Sequence, residues 1–483
     1  THSATLLFFL PRPAYFSFFL APRSSHLLPF SSNPELGTGN PEPSYPCHFL
    51  TLPTMLTYAL VPGYVALFIW LIGRSGFFAA TGVPVRWFQG VFLLKVLAGC
   101  VLGWLYTYHY TDRTTSDTFK FFDDSGILFS ALTERPWDFF RMFTGIGGND
   151  PELRHYYESM NAWLNKDVLF NDNKTIIRLN TFFRFFSMGN YYVHVVFINF
   201  LSLTGLTGLY RSFTSTLPGR GRILFVTTFL LPSVVFWGSG LLKDGLLLFA
   251  LGTLVYVYRQ LMLGDRRWSR LALFGISFLL LLFTKFYVIV TITPGLIAWW
   301  MSRGKSLGGA LLRFGAVYGV FFVLAFNLHR IVPAYKLADI IYYKQQNFYV
   351  LAEMTKAKSV IRAPEFYATG WSLAAHAPLG FLTTLLRPTV FDAQGNLLVM
   401  ASAIENALLL VLMLVLLARP RRVEPTALSF VLFAGIYVLL LYSLIGLITP
   451  ILGAMVRYKV VGMPFLFFVL VAFSSVMGRR ASK

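Results

Sequence analysis

Residues 427–448 read ALSFVLFAGIYVLLLYSLIGLI, an apolar run of 22 residues without one charged side chain. An α-helix needs about 20 apolar residues to cross the hydrocarbon core of a bilayer. Comparable runs recur along the chain, and they lack the alternation in roughly ten-residue segments that marks a membrane β-barrel. The sequence therefore predicts an all-α fold, a polytopic bundle of transmembrane helices.

We count about eleven spans from Met55 onward. The stretch 271–301 is either one broken helix or two short helices, divided around Thr284-Lys285. The predicted spans cover residues 55–73, 88–107, 191–210, 223–241, 245–262, 271–284, 286–301, 311–330, 396–418, 427–448 and 450–476.

The composition supports this class. The 483 residues are 56% hydrophobic, 17% aromatic and only 13% charged, with a mean hydropathy of +0.61. A soluble domain carries about 25% charged residues, so an ordinary soluble enzyme, a disordered chain and a coiled coil are excluded. Two cysteines, Cys47 and Cys100, are too few for a disulfide scaffold or a cysteine metal cluster.

The first 54 residues differ from the remainder. Their apolar run 5–20 is interrupted by Pro11 and Pro13, and the first methionine, Met55, stands at the start of a clean apolar run. We expect residues 1–54 to be a non-native or disordered extension and residues 55–483 to form the transmembrane domain.

The net charge of +20 is concentrated in short loops between apolar runs. Basic loops mark the cytoplasmic side of a multispanning protein, so we expect a cytoplasmic C-terminus and no nucleic-acid partner. The two long loops, about 108–190 and 331–395, then lie on the outer face, the first with amphipathic helices on the membrane surface. The basic clusters fall at residues 74–86, 211–222, 259–270, 303–313, 419–422 and 479–483.

An acidic group opens the first outer loop. Asp117, Asp123 and Asp124 lie within eight residues, and Asp117 and Asp124 share a face if the segment is helical. Neighbouring carboxylates raise one another's pKa, which suits a catalytic base, and their oxygens suit a divalent cation such as Mg²⁺ or Mn²⁺. A solvated turn with helix capping explains the group equally simply.

Cations stand at the predicted outer ends of later spans, where they could bind the phosphate of a lipid. Each also has a structural explanation. Lys243 and Asp244 could form a local ion pair in a turn, Lys285 could extend to the interface, and Arg457 and Lys459 could anchor a helix end. Arg387 has the planar group best suited to grip a phosphate through two hydrogen bonds.

Glu405 falls inside a predicted span and requires a partner there, with a neutral carboxyl group as the simplest state.

The chain lacks the GxxxxGK[ST], HExxH and GxSxG motifs, which argues against a P-loop ATPase, a zinc protease of that type and an α/β-hydrolase.

The plan resembles that of the GT-C superfamily of polytopic glycosyltransferases, in particular proteins of bacterial envelope-polysaccharide biosynthesis. The likeness covers about residues 55–476. The segments that carry it are Ser116-Asp117-Thr118, Phe121-Phe122-Asp123, Phe236-Trp237-Gly238-Ser239-Gly240-Leu241-Leu242-Lys243-Asp244, Arg387-Pro388 and Arg457-Tyr458-Lys459.

The resemblance implies a catalytic Asp or Glu in the first outer loop, hence Asp117, Asp123 or Asp124, although here that loop follows the second span. It implies inverting transfer of a sugar from a polyprenyl-phosphate donor at the outer face of the inner membrane. The substrate-binding residues would be Lys243, Asp244, Lys285, Arg387, Arg457 and Lys459. An O-antigen-type polymerase, a lipid-linked sugar flippase and a structural scaffold are the alternatives.

Overall fold

The computed structural model describes residues 54–110, 113, 116–163, 171–357, 359–393 and 397–475. These residues are helical almost throughout and contain no β-strand, which confirms the all-α prediction. Apart from Thr54, the predicted N-terminal extension lies outside the described residues, as does the basic cluster at 479–483.

Twenty α-helices follow one another within this part of the chain. In chain order they are α1 Thr54–Arg74, α2 Gly76–Ala79, α3 Val85–Tyr108, α4 Asp117–Glu134, α5 Pro136–Thr144, α6 Arg154–Glu158, α7 Asp172–Ser187, α8 Tyr191–Thr216, α9 Gly221–Phe229, α10 Pro232–Trp237, α11 Lys243–Met262, α12 Trp268–Thr284, α13 Phe286–Met301, α14 Leu307–Asn327, α15 Leu337–Met354, α16 Gly370–Leu386, α17 Leu397–Leu417, α18 Pro425–Ile448, α19 Leu452–Lys459 and α20 Met463–Phe473.

Seven of these helices are long and apolar enough to span a membrane, and α19 with α20 makes an eighth span if the pair, bent by 58°, is counted as one. The seven are α1, α3, α8, α11, α14, α17 and α18. Several apolar helices therefore indicate a multi-pass membrane protein, while the prediction of about eleven spans is not confirmed.

The difference in number comes from three predicted spans. The run 223–241 is divided into α9 and α10, because Pro232 favours an extended conformation at Leu231, whose φ and ψ are −66° and 122°. The stretch 271–301 forms two helices of 17 and 16 residues, separated by Lys285, whose φ and ψ of −151° and 88° are not helical. Each is shorter than the roughly 20 residues that a perpendicular span requires.

Two helix pairs approach each other closely through glycines. A Cβ atom on Gly446 of α18 would overlap the backbone of Gly380 of α16. In the same way, a Cβ atom on Gly252 of α11 would overlap the backbone of Gly205 of α8. Small residues at such crossings let helices pack backbone to backbone in a membrane. The second long loop of the sequence prediction is therefore partly a helix, α16, that packs against the span α18.

Helices α4 to α7 form a layer that packs against α8 and α12. Its interior is apolar and contains Phe121, Leu128, Met142, Trp163 and Ile176. The outer surface of α5 exposes Trp137 and Phe140, whose rings stack. This layer brings the start of α4 next to the start of α11 and to α19, where the candidate site lies.

Candidate functional site

Arg457 of α19 lies between two carboxylates from distant parts of the chain. Its Nε donates to Asp244 Oδ2 at 2.5 Å and its Nη1 donates to Asp117 Oδ2 at 3.0 Å. The Arg457 side chain is 15% exposed and that of Asp244 only 2%. A buried carboxylate without this partner would be strongly unfavourable, so the pair with Asp244 fixes the guanidinium in place.

Asp117 is the accessible end of this arrangement. Its side chain is 49% exposed, and it is the first residue of α4, where the helix dipole favours a negative charge. Partial desolvation raises the pKa of Asp117, but the charge and the hydrogen bond of Arg457 outweigh that effect and hold the pKa below its ordinary value. The carboxylate is therefore ionised and reaches solvent.

Two lysines lie beside this pair and share a carboxylate. Asp172 Oδ2, at the start of α7, is 2.8 Å from Lys243 Nζ and 3.7 Å from Lys285 Nζ. The Lys285 ammonium also lies 4.7 Å from the centre of the Tyr458 ring, next to Arg457 in sequence. We define the Arg457 cluster as Asp117, Asp172, Lys243, Asp244, Lys285 and Arg457, three acids facing three bases.

The other two acids of the 117–124 group bind elsewhere. Asp123 pairs with Arg113 at 2.6 Å near the surface. The buried Asp124 accepts the N–H groups of Asn161 and Ala162, each at 2.7 Å, and so holds the segment after α6. Asp124 lies two turns along α4 from Asp117, about 10 Å along the axis, so a shared face does not bring it to Arg457.

Burial raises the pKa of Asp124 to about 6, although the hydrogen bonds from Asn161 and Ala162 oppose this effect. Among the described residues, no three His, Cys, Asp or Glu side chains converge on a point that a metal ion could occupy. Asp117 and Asp244 both face the guanidinium of Arg457. These donors do not fit a divalent cation.

Arg387 and Lys459 form a second group. Lys459 Nζ donates to the backbone oxygen of Arg387 at 3.1 Å and to Asn406 Oδ1 at 2.8 Å, while Arg387 pairs with Asp392 at 2.6 Å. We define the Lys459 cluster as Arg387, Asp392, Asn406 and Lys459. The predicted substrate-binding residues thus divide between two clusters, with Arg387 and Lys459 apart from the other cations.

Glu405 precedes Asn406 on α17. Its carboxyl oxygens accept the Ser233 N–H at 2.7 Å and the Ser233 hydroxyl at 2.5 Å. These bonds join α17 to the start of α10, so a neighbouring helix supplies the partner that the sequence required.

Two residues at or near the site, Asp172 and Lys95, were not predicted from the sequence. Asp172 follows Asn171, whose side chain caps α7, and this cap was the available signal. Lys95 is fully buried in the middle of span α3, and its Nζ donates to Gly238 O at 3.0 Å and to Ser239 Oγ at 3.1 Å. A lysine at the centre of an apolar run was the signal here. It supports the turn that leads to Lys243 and Asp244.

Comparison of the chain with protein-family models, curated proteins and solved structures gives no match. The case for a function therefore depends on the geometry of the Arg457 cluster. That cluster combines a half-exposed carboxylate with a largely buried guanidinium and two lysines, a set that can hold an anion and accept a proton at adjacent positions.

Proposed function

We propose that this chain is a membrane glycosyltransferase that moves a sugar from a polyprenyl-phosphate-linked donor to an acceptor hydroxyl, with inversion at the anomeric carbon. The observation that carries the proposal is the contact of Asp117 with Arg457 at 3.0 Å. This contact supports the proposal because a solvent-accessible carboxylate, which could act as a base, lies beside a guanidinium, a group well suited to bind a phosphate.

The chemistry assigns one role to each side of the cluster. The acceptor hydroxyl gives its proton to Asp117 while its oxygen forms a bond to the anomeric carbon. The bond from that carbon to the phosphate oxygen breaks, and the polyprenyl phosphate leaves with the electron pair. Arg457, Lys243 and Lys285 stabilise the negative charge that grows on this leaving group.

A lipid-borne donor suits the position of the cluster. Lys243 is the first residue of span α11, and Lys285 separates the apolar helices α12 and α13. A donor held in the bilayer by its isoprenoid chain would present its phosphate at such helix ends. With the basic loops on the cytoplasmic side, this level is the outer face of the bacterial inner membrane.

The test is transfer by the purified full chain in liposomes, with radiolabelled polyprenyl-phosphate sugars and a panel of acceptors. Asp117→Asn should lower the rate by about 10²–10³, because it removes the base. Asp123→Asn is the matched control, since it removes the same charge from the same helix at a position paired with Arg113.

Full activity in Asp117→Asn would refute the assignment of the base. Transfer that requires a lipid-linked oligosaccharide as acceptor would identify a polymerase instead. Movement of the lipid between leaflets without transfer would identify a flippase and contradict the proposal.

A further inference from the structure

The two carboxylates on Arg457 differ in how firmly they are held. Asp244 is almost completely buried, and its bond to Nε is 2.5 Å. Asp117 is half-exposed, and its bond to Nη1 is 3.0 Å. Loss of the Asp244 contact would leave a buried charge without its partner, whereas a freed Asp117 carboxylate would be solvated by water.

Arg457 can therefore exchange one partner and keep the other. A phosphate group offers the guanidinium two parallel hydrogen bonds and more negative charge than one carboxylate. Because Asp117 is the first residue of α4, its side chain can leave Nη1 by rotation, without movement of the helix axis. The bond to Asp244 would hold the guanidinium in position during the exchange.

We infer that Asp117 is an internal occupant of a phosphate-binding position on Arg457, and that the phosphate of an isoprenoid ligand displaces it. This inference rests on the proposed function and adds how the site changes on binding. The displaced carboxylate remains within the cluster and is then available to the acceptor hydroxyl, so the base is released only when the donor is bound.

The titration of Asp117 supports this order of events. Arg457 holds the pKa of this carboxyl below its ordinary value, so in the paired state Asp117 is a weak base. Separation from the guanidinium removes the largest influence that lowers the pKa, and the carboxylate becomes more basic.

The experiment measures binding of farnesyl phosphate, a short isoprenoid phosphate, to the purified full chain in detergent, with farnesol as the uncharged reference. Asp117→Asn should bind farnesyl phosphate about tenfold more tightly than the wild type, since a competing charge is gone. Asp123→Asn should bind as the wild type does, because a general charge effect would act on both variants. Farnesol binding should be equal in all three.

Three results would overturn the inference: unchanged or weaker binding by Asp117→Asn, equal tightening in both variants, or no farnesyl phosphate binding by wild type and Asp117→Asn alike. Transfer measured on the same preparations separates this inference from the proposed function. Wild-type transfer without tighter binding by Asp117→Asn refutes only displacement. Tighter binding by Asp117→Asn without any wild-type transfer refutes the proposed transferase activity but supports the phosphate-binding position on Arg457.

Discussion

Arg457 and Lys459 lie two residues apart on the short helix α19, yet they belong to different clusters. Arg457 binds Asp117 and Asp244, whereas Lys459 binds Asn406 and the backbone of Arg387. Residues at i and i+2 on a helix point in different directions. Helix α19 therefore joins α4 and α11 on one side to α16 and α17 on the other, and a change in either cluster acts on the same element.

The Lys459 cluster should contribute to stability. Lys459→Met removes the ammonium and leaves Asn406 Oδ1 and the Arg387 carbonyl without their donor. We expect the free energy of unfolding to fall by about 1–3 kcal/mol, the cost of a buried unsatisfied polar group. Thermal unfolding in detergent measures this. Lys336→Met, at a lysine exposed to solvent, is the control, and equal melting temperatures for both variants would contradict the prediction.

Lys95 should fix the turn before Asp244. In Lys95→Met the carbonyl of Gly238 and the hydroxyl of Ser239 lose a donor, and we expect faster backbone hydrogen exchange in residues 238–242. Exchange followed by mass spectrometry measures this locally. Leu94→Met, at the exposed neighbouring position, should leave the exchange of that segment unchanged. Unaltered exchange in Lys95→Met would show that Asn199 and the surrounding packing hold the turn without the lysine.

Asp124 should make stability depend on pH. Its pKa is raised from 3.8 to about 6 in the folded protein. The folded state therefore binds more protons than the unfolded state between these values, and stability falls as pH rises from about 4 to about 6. The full effect is on the order of 3 kcal/mol. Unfolding of the wild type at pH 4.5 and 6.5 measures the difference.

The comparison variant is Asp124→Asn, which cannot titrate. It should be less stable than the wild type at pH 4.5, because an NH2 group replaces one of the two carboxyl oxygens and cannot accept the N–H of Ala162. The loss of stability between pH 4.5 and 6.5 should, however, be smaller than in the wild type. An unchanged loss would assign the dependence to other groups.

The crossing of α16 and α18 should tolerate no side chain. Gly446→Ala would force a Cβ into the backbone of Gly380, and we expect a loss of about 1–3 kcal/mol or more in stability. Gly435→Ala is the control on the same helix, because its Cβ would meet only Val469 Cγ2 at 4.0 Å. We expect Gly435→Ala to be neutral or slightly stabilising, as alanine favours helix. Equal effects of both substitutions would contradict the packing argument.

The sequence was informative wherever one segment decides its own structure. Apolar runs predicted helices, and the helical state of those runs is confirmed. The number of spans was harder to predict from the sequence. Pro232 and Lys285 divide apolar stretches, and whether the two pieces on either side form one span depends on the helices packed around them.

In the site, residue type identified the cations but not their partners. Asp117, Asp123 and Asp124 are chemically alike, and only the tertiary structure, which brings the start of α4 to α19, determines that Asp117 meets Arg457. Asp172 bridges Lys243 and Lys285, and its only signal in the sequence was the capping residue Asn171 at the start of α7, which says nothing about those lysines. The roles of all these residues in catalysis or binding stay predictions.

The contacts of Arg457 also bear on how the chain is made. Its two carboxylate partners precede it by 340 and 213 residues. A growing polypeptide must therefore insert the helices from α11 to α18 while Asp244 still lacks its counter-charge, because the arginine is made 213 residues later. A chain that stops before residue 457 is left with an uncompensated acid in its interior, which the quality-control proteases of a membrane can recognise as an unfinished product.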